Sequence, residues 1–200
     1  MRTFAAPTSA YLASRAGVVS EQLLWVRARN RTTGAEETYG VWTGEQDATF
    51  TINGVARSYY GGSAMAKMEV IVAQVGMAVR LQRVRLNPLH PTVAQMVRGA
   101  DPSLAPCEVH RALFSPTTGA LVDEPHRLWK GIVNKTPIPT PAIGGEASCE
   151  LELASSAYRL TRSLAVVKSH ETQKLRSGDL FRQYQDIAGD IPVWWGMEKI

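Results

Sequence analysis

The chain has 200 residues, of which 44% are hydrophobic and 20% charged, a composition that is typical of a globular protein and excludes wholesale disorder. Its two cysteines, Cys107 and Cys149, are too few for a disulfide-rich scaffold or for a four-cysteine zinc or iron–sulfur site. Residues 1–100 carry 11 basic and 6 acidic side chains, whereas residues 101–200 carry 11 and 12. The first half is therefore mildly basic, which is weak support for nucleic-acid binding.

No apolar run approaches the roughly 20 residues that span a bilayer. Residues 1–7 lack the long apolar stretch of a secretory signal peptide. We therefore expect a protein that is made in a cytoplasm and is neither secreted by the usual route nor inserted into a membrane. Two reduced core thiols are the favoured state of Cys107 and Cys149, and one structural disulfide between them stays open.

The first third of the chain predicts a short helix followed by strands. The helix is expected over residues 8–16, and strands rich in Leu, Trp and Val are expected over 21–29 and 37–43. Residues 48–60 give the clearest local signal, because Phe50 and Ile52 alternate with threonines before Asn-Gly. Asn-Gly suits a type I′ turn, so this stretch predicts a β-hairpin.

The middle of the chain predicts two long strands, over residues 66–75 and 77–86. In the second of them the apolar positions change parity between Leu81 and Val84, which indicates a β-bulge. A short helix is expected over residues 90–98.

Three further strands are expected, over residues 107–114, 128–133 and 146–153, and a proline-rich loop over 135–145 separates the last two. In the C-terminal section, Asp179 is expected to cap a helix that extends to Ile187. The pattern predicts a mainly β protein: a β-barrel or sandwich with two or three short helices and an aromatic C-terminal section.

The sequence contains no G-x-S-x-G nucleophile elbow, no G-x-x-x-x-G-K-[ST] phosphate loop, no G-x-G-x-x-G and no H-E-x-x-H motif. Cys107 and His110 have the C-x-x-H spacing of zinc ligands, but an offset of three places them on opposite faces of one strand. We therefore expect a buried thiol and a surface imidazole. The group formed by Asp123, Glu124 and His126 lies between two strands and is expected to be a solvated loop.

Two groups of arginines and one glycine pair are candidates for anion contacts. The arginines of the predicted strands could follow phosphates or serve protein contacts: Arg27, Arg29, Arg31, Arg80, Arg83 and Arg85. Gly61-Gly62-Ser63 could form an anion-binding nest, but a strand end is the favoured interpretation.

Several segments carry a family resemblance through their order along the chain. They are Leu24-Trp25-Val26-Arg27-Ala28, the turn Arg31-Thr32-Thr33-Gly34, Tyr60-Gly61-Gly62, Glu108-Val109-His110-Arg111-Ala112, Leu160-Thr161-Arg162, Gly178-Asp179-Leu180-Phe181-Arg182-Gln183-Tyr184 and Pro192-Val193-Trp194-Trp195-Gly196. Together they resemble the tail-tip hub proteins of tailed bacteriophages and gene transfer agents. The resemblance covers most of residues 20–196, and its most specific part is the C-terminal section.

The resemblance implies a structural protein of a virion, with no enzymatic activity. Such a hub (a minor tail or baseplate protein) is a β-barrel, expected as a homotrimer, that joins the distal ring of the tail tube to tip or fibre proteins. The expected locations are the tail tip and, during assembly, the host cytoplasm. Some members of that family add a cysteine-rich region that can hold an iron–sulfur cluster; this chain has two cysteines, so we expect no cofactor and no metal.

The implied organisation has three parts: an N-terminal arm (1–20), a β-barrel hub domain (21–167) and a C-terminal docking section (168–200) packed on the same domain. Adjacent tryptophans carry much apolar area, and aromatic side chains dominate protein interfaces. The candidate protein interface therefore consists of Phe181, Tyr184, Trp194 and Trp195.

Two alternatives stay open at this point. The basic first half is compatible with a nucleic-acid-binding β-barrel, and a hub could also lie next to DNA in the tail bore. A tail-associated cell-wall hydrolase is the other alternative, but no residue pattern supplies its catalytic centre.

Overall fold

The structure is a computed structural model that describes residues 4–15, 17–72, 76, 78–139, 141–143, 145, 147–161, 166–185, 187, 189–190 and 196. The chain divides into two compact units, Met1–Thr161 and Arg162–Ile200. None of the helices within the described ranges is long and apolar enough to cross a bilayer.

The first unit is mainly β, as the alternating patterns predict. Its strands in the described part of the chain are β1 (Val19–Asn30), β2 (Glu36–Trp42), β3 (Ala48–Ile52), β4 (Val55–Tyr59), β5 (Met65–Met68), β6 (Leu81–Leu86), β7 (Ala100–Asp101), β8 (Pro106–Phe114), β9 (His126–Lys135) and β10 (Cys149–Ser155).

Most of these strands form one curled antiparallel sheet, a half-barrel. Its order is β2-β1-β8-β9-β10-β6-β5, and the short β7 pairs with β1. β3 and β4 form a separate hairpin, which is joined to β2 by a bridge between Val41 and Tyr60.

The helices are short and decorate the sheet. They are α1 (Ala6–Ala13), α2 (Pro91–Ala94) with a π-helical turn (Gln95–Gly99), α3 (Tyr158–Thr161) and, in the second unit, α4 (His170–Lys174). The predicted helix 90–98 is confirmed, and it buries Val93, Met96 and Val97. α1 begins two residues earlier than predicted, because Pro7 with its fixed φ suits the first turn of a helix.

Both faces of the sheet are covered near β1 and β8. One face builds the main core, to which β1 contributes Leu24 and Val26 and β8 contributes Cys107 and Val109. The opposite face packs against the β3–β4 hairpin, and this second core contains Leu23, Trp42, Phe50, Ile52, Tyr59 and Ala112. The hairpin therefore acts as a lid over the outer face of the sheet.

The hairpin prediction is confirmed in its residues and in its turn. β3 and β4 pair from Ala48 opposite Tyr59 to Ile52 opposite Val55. Asn53 and Gly54 have φ values of 50° and 75°, the positive values that a type I′ turn requires.

The two long strands predicted over 66–75 and 77–86 are shorter in the structure, and the predicted bulge between Leu81 and Val84 is wrong. β6 pairs with β10 in unbroken register. The parity changes because Gln82, a polar residue, takes a buried inward position, and its Nε2 donates to the carbonyl oxygen of Glu69 at 2.6 Å. The carbonyl oxygen of Glu69 therefore accepts from a side chain at the point where the backbone ladder between β5 and β6 would otherwise continue.

Candidate functional site

The described part of the C-terminal unit holds two of the four side chains predicted as an interface, and both are exposed. Phe181 is 86% exposed and Tyr184 is 65% exposed. They lie in one run of turns, and no residue that the structure describes in this unit is buried. Trp194 and Trp195 lie outside the described residues.

The helix predicted from Asp179 to Ile187 is wrong. The backbone hydrogen bonds there join residues three apart, such as Gln183 N–H to Leu180 O and Ile187 N–H to Tyr184 O. These are successive turns instead of an α-helix, whose hydrogen bonds join residues four apart. Helical spacing of apolar residues stabilises a helix mainly when that face is packed, and here the face stays exposed.

The turn that carries Phe181 is fixed by hydrogen bonds. Asp179 does not cap a helix but closes a turn: its Oδ1 accepts from the backbone N–H of Phe181, two residues on, at 2.9 Å, and its Oδ2 accepts from Gln173 Nε2. These bonds lower the pKa of Asp179, so the carboxylate is ionised at neutral pH. Ser177 and Gly178 have positive φ values of 53° and 75°, which bend the chain just before it. The exposed phenyl ring is therefore presented on an ordered turn.

A charged cluster on the outer face of β8 is the feature that sequence analysis missed. Glu108 Oε2 accepts from Arg57 NH1 at 2.9 Å, and Oε1 lies 3.4 Å from Arg127 NH1 and 3.8 Å from Lys130 Nζ. Arg57 also lies over the Trp25 ring, 5.2 Å from its centroid. This cluster ties the hairpin strand β4 to β1, β8 and β9.

Glu108 remains ionised in this setting. Partial burial raises the pKa of its carboxyl, but the hydrogen bond and charge of Arg57 and the charge of Arg127 outweigh burial, and the pKa falls below its ordinary value. An alternation of Glu108 with apolar neighbours in the sequence could have signalled an outward carboxylate. Nothing in the sequence shows that the hairpin lies above it.

His110 lies on the face opposite to Cys107, as predicted, but the prediction of a surface imidazole is wrong. The ring is 1% exposed, and neither of its nitrogens has a hydrogen-bond partner among the described residues. Burial lowers the pKa of His110 to about 4, against the opposing effect of Glu108, whose Oε2 lies 3.9 Å from Nε2. His110 is therefore neutral at pH 7, and its role is packing.

The segment 123–127 lines a pocket of about 340 Å³ instead of forming a fully solvated loop. Two of its carboxylates are engaged by neighbouring elements: Asp123 Oδ2 accepts from Thr8 of α1 at 2.8 Å, and Glu124 accepts from the backbone N–H of Asn53. The ring of His126 meets Phe4 edge-on at a centroid distance of 5.3 Å. These contacts attach the N-terminal arm and the hairpin turn to the sheet.

Neither cysteine has the properties of a nucleophile. Both are buried in the main core, and burial raises the pKa of the Cys107 thiol to about 12 and also raises that of Cys149. Among the described residues, no group of three or more potential metal ligands comes together.

The arginines considered for phosphate contacts are in part engaged within the protein. Arg27 pairs with Glu36 at 3.3 Å and Arg85 with Glu150 at 3.2 Å, in each case across neighbouring strands. Arg31 Nε donates to the carbonyl oxygen of Ala100 at 2.8 Å. Cross-strand pairing of this kind leaves less positive charge for a nucleic acid than the sequence suggests.

The glycine pair at 61–62 does not form an anion-binding nest. The N–H of Gly61 donates to Asp47 Oδ1 at 3.1 Å, and the N–H of Gly62 donates to the carbonyl oxygen of Glu45 at 2.8 Å. Both donors are satisfied by the loop between β2 and β3, so the strand-end interpretation holds.

No known family model matches this sequence, and a search of curated proteins found no significant match either.

Proposed function

We propose that this protein is a structural subunit of a phage-like tail tip: a hub that assembles into a symmetric oligomer, expected as a trimer, and joins the distal tail ring to tip or fibre proteins. The order of the sequence motifs along the chain supports this proposal, and so does the half-barrel fold. The observation that carries it furthest is the exposure of the C-terminal unit.

The described part of that unit presents apolar side chains with no buried residue of its own. At least half of each of seven large apolar side chains is exposed: Val166, Val167, Leu175, Leu180, Phe181, Tyr184 and Ile187. Burying a large apolar side chain stabilises an association by about 1.5–3 kcal/mol. An ordered turn that displays Phe181 and Tyr184 is suited to fill a pocket on a partner, because buried aromatic anchors dominate binding energy.

A half-barrel is also a suitable frame for assembly. A closed barrel has no strand edges, whereas an open curled sheet has terminal strands that a neighbouring subunit can cover or extend. Rings arise when two different surfaces of one subunit meet head to tail. In this proposal the sheet supplies a rigid body and the C-terminal unit supplies the contact.

The experiment compares the wild type with a double variant, Phe181→Ala with Tyr184→Ala, by light scattering after size-exclusion chromatography. The variant should lose the trimeric ring while its circular dichroism stays β-rich, because neither side chain is buried in the chain itself. Removal of residues 178–200 should have the same effect.

Arg182→Ala is the matched control, since it lies between the two aromatic residues in the same run of turns and should assemble normally. Assembly of the double variant at wild-type strength would contradict the role of the C-terminal unit. An unfolded truncation with a folded double variant would show that the section belongs to the core of the subunit.

A further inference from the structure

The outer edge of β5 is the second surface at which this chain can meet a partner. Within the described ranges β5 pairs with β6 alone, and it stands at the end of the sheet. Met65 and Met68 point into the core, whereas Lys67, Glu69 and Val70 are exposed, Val70 by 83%. A terminal strand with an exposed apolar side chain is able to accept another strand.

The hydrogen bonds to β6 show which backbone N–H and C=O groups of β5 point toward the open edge. The N–H of Glu69 donates to the carbonyl oxygen of Arg83 at 3.2 Å, so the antiparallel ladder with β6 reaches one residue beyond β5. In such a ladder alternate residues direct both their backbone groups to the same neighbour. Because the N–H of Glu69 faces β6, Met68 directs its N–H and C=O groups away from β6, toward the open edge.

We propose that this edge pairs antiparallel with the same edge of a second copy of the chain, around a twofold axis at Met68. In that register Met68 lies opposite Met68 of the second copy, and their backbones exchange two hydrogen bonds. Lys67 then lies opposite Glu69 of the second copy, in a non-hydrogen-bonded position where side chains are closest.

Charge complementarity favours a second copy of the chain as the partner at this edge, and it favours one register of pairing. The twofold axis repeats the contact, so one register forms two Lys67–Glu69 ion pairs, one on each side of Met68. An axis at Lys67 or at Glu69 would instead place like charges opposite each other, which is destabilising. A register shift between Met65 and Lys67 places Ala66 in a β-bulge, so the regular pairing covers residues 67–69 alone.

This pairing goes beyond the proposed hub and does not depend on the C-terminal unit. A trimeric ring built through another surface would double to six copies through this edge, since a ring with a perpendicular twofold axis has that number. Within a single ring, where all copies point the same way along one axis, the contact does not occur.

The test is a charge swap, with the dimerisation constant measured by sedimentation equilibrium on the full chain. Lys67→Glu and Glu69→Lys should each weaken pairing by tenfold or more, because each places like charges opposite each other. The double variant Lys67→Glu with Glu69→Lys should restore it, since the pairs re-form with reversed sign. Lys135→Glu, an exposed lysine on β9, is the control for net charge and should pair normally.

A cysteine pair supplies a readout that does not depend on affinity. The variant Lys67→Cys with Glu69→Cys should form a reducible dimer of twice the chain mass of 21.9 kDa under oxidising conditions. Lys67→Cys alone should not, because the two copies of residue 67 are offset by two positions. Both native cysteines are buried and do not interfere.

Failure of the double swap to restore pairing, or equal crosslinking by Lys67→Cys alone, would overturn this register. A protein without edge pairing that still assembles through Phe181 would reject this inference and leave the proposed function standing. Edge pairing that persists in the Phe181→Ala, Tyr184→Ala variant supports the inference and separates the two surfaces.

Discussion

At the scale of single residues, the cluster around Glu108 and His110 determines how the hairpin is held. Glu108 has cationic partners from β4 and β9, and His110 fills the space beneath the hairpin as a neutral ring. A sequence shows that these two residues lie on the face opposite to Cys107. It does not show that this face is covered, because the cover comes from a segment more than 50 residues away.

We expect the buried imidazole to make the protein less stable in acid. The pKa of His110 is about 4 in the folded state and about 6.5 in the unfolded state, so the unfolded chain takes up the proton first as pH falls. At pH 4.5 this proton uptake lowers the free energy of unfolding of the wild type by about 2–3 kcal/mol relative to pH 7.

The measurement is urea unfolding of the wild type and of His110→Leu at pH 7 and at pH 4.5. The stability difference between the two pH values should be smaller in the variant by that amount. Equal pH dependence in the two proteins would mean that His110 takes up its proton in the folded state as readily as in the unfolded chain.

At the scale of elements, close backbone approach fixes the hairpin on the sheet. Gly40 of β2 faces β4 so closely that a Cβ there would lie 2.3 Å from the carbonyl oxygen of Ser58 and 2.9 Å from the Trp25 ring. The backbone N–H of Tyr60 donates to the carbonyl oxygen of Gly40 at 3.0 Å. A side chain at residue 40 would therefore push the hairpin away from the sheet.

Gly40→Ala should destabilise the fold by about 1–3 kcal/mol, because the added methyl group forces a shift of packed backbone. Gly17→Ala is the control, because a Cβ added at Gly17 would meet no described atom within 4 Å. Urea unfolding followed by tryptophan fluorescence measures both. A Gly40→Ala protein as stable as the wild type would show that the hairpin tolerates displacement.

The elements also show which sequence signals are reliable in this chain. The hairpin at 48–60 was predictable because its turn chemistry is local: Asn53 and Gly54 adopt positive φ in the structure. The helix expected from Asp179 to Ile187 was not, because helical spacing needs a surface to bury against. The prediction of a bulge near Leu81 was wrong for a third reason, because a polar residue, Gln82, fills a core position.

At the scale of the whole molecule, the chain combines a well-packed half-barrel with a small unit that has no buried residue in its described part. The mainly β architecture could be predicted from alternation and turns. The candidate interface could be predicted only as a set of aromatic residues, because exposure is a property of the folded chain. This contrast between a rigid body and an exposed aromatic turn is the basis for proposing a structural subunit.

The most direct measurement of the central claim is the mass of the purified wild-type protein by sedimentation equilibrium in high salt. We expect three copies, and the ring should persist because apolar contacts resist screening, whereas the exposed Lys67–Glu69 pairs that would join two rings through β5 weaken in high salt. A mass of one chain or of two chains at all concentrations would contradict the proposed hub.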